Sequence, residues 1–348
     1  MTLTELSHTV RRSIVPSVFG FILLIALYFV ISNYLNYLAS QRPKTIVIEP
    51  IFGKINKLAL KNTFQYSTKS HFVLDTIEGR PKTATDTAKV YFLPPKITKF
   101  GYLQTVFLMA KKLGFHVDEI KHTIKNNTVL FEDEEKSVQI NIANYNFTYA
   151  YKYDDNLQVF DDVTFPEDTT IKEKIKGFLS DVGRYPEELA QGKEDLSFLI
   201  YDRDTKQFTP TTRKNEANAV EFDLYRPDIN SFPAVSPSYF GSHNYALAVF
   251  QSDTYTVLKA QISFFEKENE KIGIYPLKTG SEAWDELKNK QGFIVSEGES
   301  KDTITIKKMF LAYVDPDIYQ SYVQPVYVFL SADGFAGYIS AIKDEYLE

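Results

Sequence analysis

Catalysis in this chain would have to start from its histidine, carboxylate and hydroxyl side chains, and few of these are spaced for it. The five histidines are His8, His71, His116, His122 and His243. No pair has the spacing of an HExxH helix. With no cysteine in the sequence, thiolate nucleophiles, disulfides and zinc–thiolate sites are excluded. His116 and His122 stand on one expected strand at even spacing, which puts them on one face. With Asp118 they form a conceivable metal set; the plainer reading is a pair of surface side chains on a half-exposed sheet. Glu132, Asp133, Glu134 and Glu135 cluster in an expected hairpin turn, where solvent screens them, whereas acid–base work by paired carboxylates needs a cleft. Gly241-Ser-His-Asn244 sets a serine beside a histidine, but sequence neighbours rarely face each other. Nucleotide-cradling glycine loops and the G-x-S-x-G elbow are absent. The residues therefore imply no catalytic group, no cofactor and no metal.

A stripe of aromatic residues is the remaining signal. Tyr145, Phe147, Tyr149, Tyr151 and Tyr153 occupy alternate positions of one expected strand. Such a row is either a core face beneath a helix or a candidate binding face for a peptide or glycan, since Tyr supplies contact area at low entropic cost.

The elements that must position these residues begin with an apolar segment. Ser13 to Gln41 contains no charged residue, and Ile14 to Leu38 is long enough to cross a hydrocarbon layer of roughly 30 Å as a helix. A single transmembrane helix over 14–38 is expected, with Ile14, Phe21, Leu24, Leu27 and Val30 among its anchor residues and the lipid bilayer as its partner. Tyr37 and Leu38 occupy positions where signal peptidase wants small residues, so the anchor is expected to stay uncleaved. Paired arginines, Arg11 and Arg12, on a short tail are the ordinary form of a signal anchor and place the remainder outside the cytoplasm. The basic residues after the span, Arg42 and Lys44 among them, argue the other way.

Aromatic residues make up 15% of the chain, with 27 Phe and 23 Tyr, which favours sheets. Residues 1–44 carry a net charge of +3, which leaves −9 on the rest of a chain whose total is −6. That acidic remainder argues against nucleic acid as a partner, because phosphate binding needs a basic footprint.

Beyond a short tail, 1–13, and the helix, 14–38, a β-rich membrane-proximal unit is expected over 40–100, punctuated by Pro50, Gly53, Gly79 and Pro94-Pro95. Tyr102, Val106, Met109, Ala110 and Leu113 then share a helical face, with Gly114 as the cap. Alternating strands follow, making a helix–meander module over 101–165. The same order recurs over 166–230, opening with the amphipathic Thr170–Leu179. A Pro- and Ser-rich loop over 227–244 precedes a C-terminal α+β module, 245–348. That module holds a helix capped by Thr279 or Ser281 and a hairpin turn at Asp333-Gly334.

The helix ending Ala110-Lys-Lys-Leu-Gly-Phe115 and the meander after it resemble PepSY-type modules. The whole layout, with Ile274–Leu287 and Tyr322–Phe329 as closing elements, resembles membrane-anchored extracytoplasmic regulators of the YycH/YycI type. That resemblance implies a non-enzymatic protein that acts on another membrane or envelope protein. The expected fold class is α+β: one N-terminal transmembrane helix, then antiparallel sheets with helices packed on one face, in repeated PepSY-like modules. The expected function is protein interaction or regulation by binding at the cell membrane. A structural subunit of an envelope complex, and an envelope hydrolase with a dispersed site, stand as alternatives.

Overall fold

The computed structural model describes residues 21, 23–35, 47–67, 69–118, 122–252, 254–299 and 302–348. The chain divides into two units, 1–47 and 48–348. In the first, residues 21 and 23–35 are helical, and Phe21, Leu24, Leu27 and Val30 are exposed. No helix among the described residues is long and apolar enough to cross a membrane. The expected transmembrane helix over 14–38 is therefore not supported, and the single-pass, signal-anchor reading falls with it. Of that span, residues 14–20, 22 and 36–38 lie outside the described residues.

The second unit is mainly β, which corrects the expected α+β class. Its strands, in chain order, are β1 (His71–Leu74), β2 (Thr87–Phe92), β3 (His122–Lys125), β4 (Thr128–Glu132), β5 (Lys136–Asn141) and β6 (Phe147–Tyr151). Then come β7 (Glu194–Asp202), β8 (Gln207–Pro210), β9 (Ala219–Leu224), β10 (Ala234–Val235), β11 (Tyr245–Phe250) and β12 (Tyr255–Ile262). The last six are β13 (Ile272–Pro276), β14 (Phe293–Glu297), β15 (Thr303–Val314), β16 (Tyr322–Val323), β17 (Pro325–Ser331) and β18 (Phe335–Ser340). Four α-helices accompany them: α1 (Tyr102–Lys112), α2 (Asp168–Val182), the single turn α3 (Glu187–Ala190) and α4 (Gly280–Lys288).

Among the described residues these strands form three sheets. The largest has nine strands in the order β3-β4-β5-β6-β12-β11-β9-β7-β8, antiparallel throughout. The meanders of 101–165 and 166–230 are thus joined in one sheet. The β11–β12 hairpin joins them, pairing with β6 on one side and β9 on the other. The physical reason is edge coverage: β6 and β9 would each expose a row of unpaired amides, and the hairpin satisfies both. β11 is buried along nearly its whole length, as a central strand covered on both faces should be.

One face of this sheet lies beneath α1 and α2. Val106, Met109 and Ala110 of α1 recur at helical spacing, as do Ile171, Ile175, Leu179 and Val182 of α2. They pack onto Phe131, Val138, Ile140, Phe222, Phe250 and Ile262 of the sheet. Gly114 (φ +81°) ends α1 in a Schellman arrangement, its N–H on Lys111 O and that of Phe115 on Ala110 O.

A second sheet runs β1-β15-β17-β18-β14, with β10 also on β15. Its central strand β17 is buried on both faces, against Ala283, Trp284 and Leu287 of α4 on one side and on the other in a cluster that Leu58 shares with Ala312, Val314 and Tyr338 of the same sheet. The Thr279–Glu282 capping box starts α4. A three-stranded sheet, β13-β2-β16, completes the unit.

Candidate binding cleft

The expected aromatic row divides between two sides of the nine-stranded sheet. Phe147 and Tyr149 point beneath the helices and are buried. Tyr145 sits in the β5–β6 turn with φ +60°, its N–H on Asn141 O at 2.8 Å, and leans on the same core. Tyr153 lies beyond the strand in a 3-10 turn. There it packs on the opposite face against Phe160, Tyr201 and Phe208, with ring centroids 5.4–5.8 Å apart. Alternation therefore holds only while the backbone stays extended. Tyr151, at the end of β6, is half-buried, and its hydroxyl accepts a hydrogen bond from Asn156 Nδ2 at 3.0 Å.

Tyr149 and Tyr151 line an open cleft of about 420 Å³ at the C-terminal end of α1. Phe178 of α2, Tyr255 at the start of β12, and the lysines Lys112 and Lys136 complete its main walls. Each wall is set by local structure. Tyr255 stacks on Phe250 at 5.4 Å and 15°. Its hydroxyl donates to Lys174 O at 3.4 Å, and Lys174 Nζ lies 5.5 Å from its ring. Phe178 leans towards Tyr149 with centroids 6.5 Å apart. Lys136 Nζ donates to Gly114 O at 2.9 Å and sits 5.3 Å from the Phe115 ring, so its position is fixed. Lys112 is exposed and has no ion-pair partner among the described residues. Burial, reinforced by Asp133, pushes the Tyr149 hydroxyl pKa well above its usual range, so that phenol stays neutral. Rings with fixed orientation beside a cation make a surface that holds an apolar or aromatic side chain next to a carboxylate.

Sequence reasoning missed a second constellation. Arg226, just after β9, is buried and completely engaged. Its Nε donates to Asp315 Oδ1 at 2.7 Å, Nη1 to Glu188 Oε1 at 2.9 Å, and Nη2 to Phe265 O at 2.6 Å, with the guanidinium 4.0 Å from the Phe264 ring. Burial alone would lower its pKa, but Asp315 and Glu188 together outweigh this and raise it. Lys267 also pairs with Glu188 at 2.7 Å. His243 lies beside the group, 3.7 Å from Asp315 Oδ2, while its Nδ1 is 3.5 Å from Ser236 Oγ. Serine, imidazole and carboxylate thus fall in line, but both separations exceed those of a working nucleophile–base pair. Asp315 is already held by the guanidinium. Ser242, the serine next to this histidine in sequence, turns away and donates to Leu224 O at 2.6 Å. No sequence pattern marks such a hub, because Arg226, Glu188 and Asp315 come from three distant segments. The residue pair Asp315-Pro316 and the Pro-rich loop before Tyr245 were its only local traces.

The other candidates disperse. His122 lies on β3 with its ring against Phe107 at 5.2 Å, whereas His116 is in the loop after α1. Among the described residues no group of three or more ligating side chains is placed to hold a metal ion. Asp133 accepts from the N–H groups of Glu135 and Lys136 and so shapes the β4–β5 turn, and Glu132 pairs with Lys152 at 3.0 Å.

Fold and cleft define a mainly antiparallel β protein with helices over one sheet face and an aromatic, lysine-flanked groove beside them. No protein-family model matches the chain, and no curated protein does. Among solved structures it is similar to an uncharacterized protein from Eubacterium rectale ATCC 33656, at 13% identity and a TM-score of 0.35. That match covers 80% of this chain and 90% of the other. At that score the likeness carries no argument about fold or function.

Proposed function

We propose that the protein acts by binding rather than catalysis, as an interaction or regulatory protein whose partner is another protein. The supporting observation is the convergence of Tyr149, Tyr151, Phe178 and Tyr255 with Lys112 and Lys136 on one open cleft. Rigid aromatic side chains beside a cation are the composition of interaction hot spots. The long Ser236–His243–Asp315 separations favour the same reading, since that group ties elements together instead of activating a hydroxyl. The negative net charge of −6 favours a protein over a nucleic acid.

The test is site-specific photocrosslinking of the full chain in its native host, with a benzophenone side chain at position 151. One discrete adduct is expected, lost when Tyr255→Ala or Lys112→Glu is added. A photoprobe at the exposed position Glu345, in the C-terminal 3-10 turn beside the second sheet, is expected to give none. No adduct from position 151, or the same adduct from both positions, would count against the proposal.

A further inference from the structure

The second sheet carries an interruption that the aromatic cleft does not explain. β15 is twelve residues long, and one edge is paired with β17 from Ile306 to Tyr313. On the other edge β1 runs parallel to Thr303–Ile306 and β10 runs parallel to Tyr313–Val314. Between them, Lys307–Ala312 have no strand on that edge among the described residues. Backbone bonds mark both ends of the gap: Asp75 N–H donates to Ile306 O, and Tyr313 N–H donates to Pro233 O, each at 2.9 Å. Alternation along the strand from Tyr313 turns the N–H and C=O of Leu311 and Met309 towards the same open edge.

A cavity of about 430 Å³ lies along the gap. Lys307–Leu311 form its floor, Ile77, Glu78, Lys82 and Ala84 one wall, and Phe232 with Pro233 the other. Ile77 is wholly exposed, at 102%. Met309 and Phe310 are half-buried. Charge in the cavity is lopsided. Lys307 pairs with Asp75, and Lys82 reaches Glu78 at only 4.0 Å. Lys308 is exposed and has no ion-pair partner among the described residues.

We infer that the open edge of β15 is a second binding site, taking an extended acidic peptide segment of another protein by strand addition. About four residues, at roughly 3.3 Å each, fill the space between the ends of β1 and β10. The peptide backbone pairs with Met309 and Leu311, an alternate apolar side chain packs among Ile77, Phe232 and Met309, and a carboxylate meets Lys308 and Lys82. Backbone pairing supplies affinity and the alternate pockets supply selectivity. This site is separate from the cleft at Tyr151, so either can fail without the other.

The test selects heptapeptides from a random displayed library on the full chain, then measures synthetic copies by fluorescence anisotropy. Sequences with acidic and apolar residues in alternation are expected. Lys308→Glu is expected to weaken them at least tenfold, and Met309→Pro, which removes an amide from the open edge alone, to abolish binding. Because the proline variant is the one at risk of misfolding, a second arm alters the peptide instead: N-methylation of alternate peptide amides is expected to abolish binding to the unaltered chain. Tyr151→Ala should leave binding unchanged. Selected peptides that bind Lys308→Glu equally, tolerate N-methylation, or fail only with Tyr151→Ala would overturn the inference. So would enrichment of no such sequence. A dimer of the free chain that Lys308→Glu converts to monomer would also overturn it, assigning the edge to a second copy.

Discussion

Arg226 shows how much one buried cation can organise. Its three hydrogen bonds reach Glu188 of α3, the chain leaving β12 and the end of β15, so three distant segments share one set of charges. Removing the guanidinium leaves the buried Asp315 without its cation and Glu188 with Lys267 alone, a change that costs about 3–5 kcal/mol. Arg226→Met is therefore expected to lower unfolding free energy by that amount, read from urea denaturation. Asp223 gives a pH signature. Burial, reinforced by Glu221, pushes its carboxyl pKa up to about 7. Between about pH 4 and 7 the folded chain holds a proton that the unfolded chain has released, so this group makes stability fall as pH rises through that window. Asp223→Asn keeps the acceptor for Ser242 N–H and removes the slope. Relative to the unaltered chain it is expected to gain on the order of 2 kcal/mol at pH 8 and nothing at pH 4, measured by denaturant titration at both. His243 works in the opposite sense: burial lowers its pKa, so stability is lost as pH falls below about 6.5, where the unfolded imidazole takes up its proton.

The elements divide by whether their cause is local. The face of α2 set by Ile171, Ile175 and Leu179, the Thr279 cap of α4 and the Asp333-Gly334 turn were legible in the sequence, because spacing and capping chemistry lie within a few residues of one another. The pairings that make the sheets were not. Phe72 sits beside Ile304, and Tyr149 beside Ala260, and nothing near either residue specifies a partner so far away. The candidate site was legible to the same extent. Phe147 and Tyr149 follow from alternation, but Tyr145 leaves it at a positive φ and Tyr153 in a 3-10 turn. Tyr255 and Phe178 come from elements that only the tertiary fold brings in. The apolar segment near the N-terminus read as a membrane span from hydropathy alone, whereas no helix among the described residues is long and apolar enough to cross a membrane. A close approach at Gly192 offers a test at this scale. A Cβ there would stand 1.7 Å from Tyr225 O, a backbone atom that cannot yield because Tyr225 N–H is bonded to Lys193 O at 2.9 Å. Gly192→Ala is expected to cost more than about 2 kcal/mol, seen as a lower denaturation midpoint with an unchanged slope.

At the scale of the whole molecule, the nine-stranded sheet is a platform. Its helices cover one face, and the end of α1 and Phe178 of α2 enclose the cleft together with Tyr151 and Tyr255. The cleft walls on β6 and β12 are held by their pairing with each other and with β5 and β11, and not by their own loops. A partner that uses this corner should gain little from reorganising it and much from its fixed rings. Truncating Tyr151 to Ala is then expected to weaken partner binding about tenfold, roughly 1.4 kcal/mol. The decisive measurement is hydroxyl-radical footprinting of the unaltered chain, free and mixed with the purified partner that the crosslink at position 151 identifies. Oxidation of Tyr151, Phe178 and Tyr255 is expected to fall several-fold on loading while that of the exposed Phe100 and Phe240 stays constant. Unchanged oxidation at those three aromatic residues, with protection elsewhere or nowhere, would contradict it.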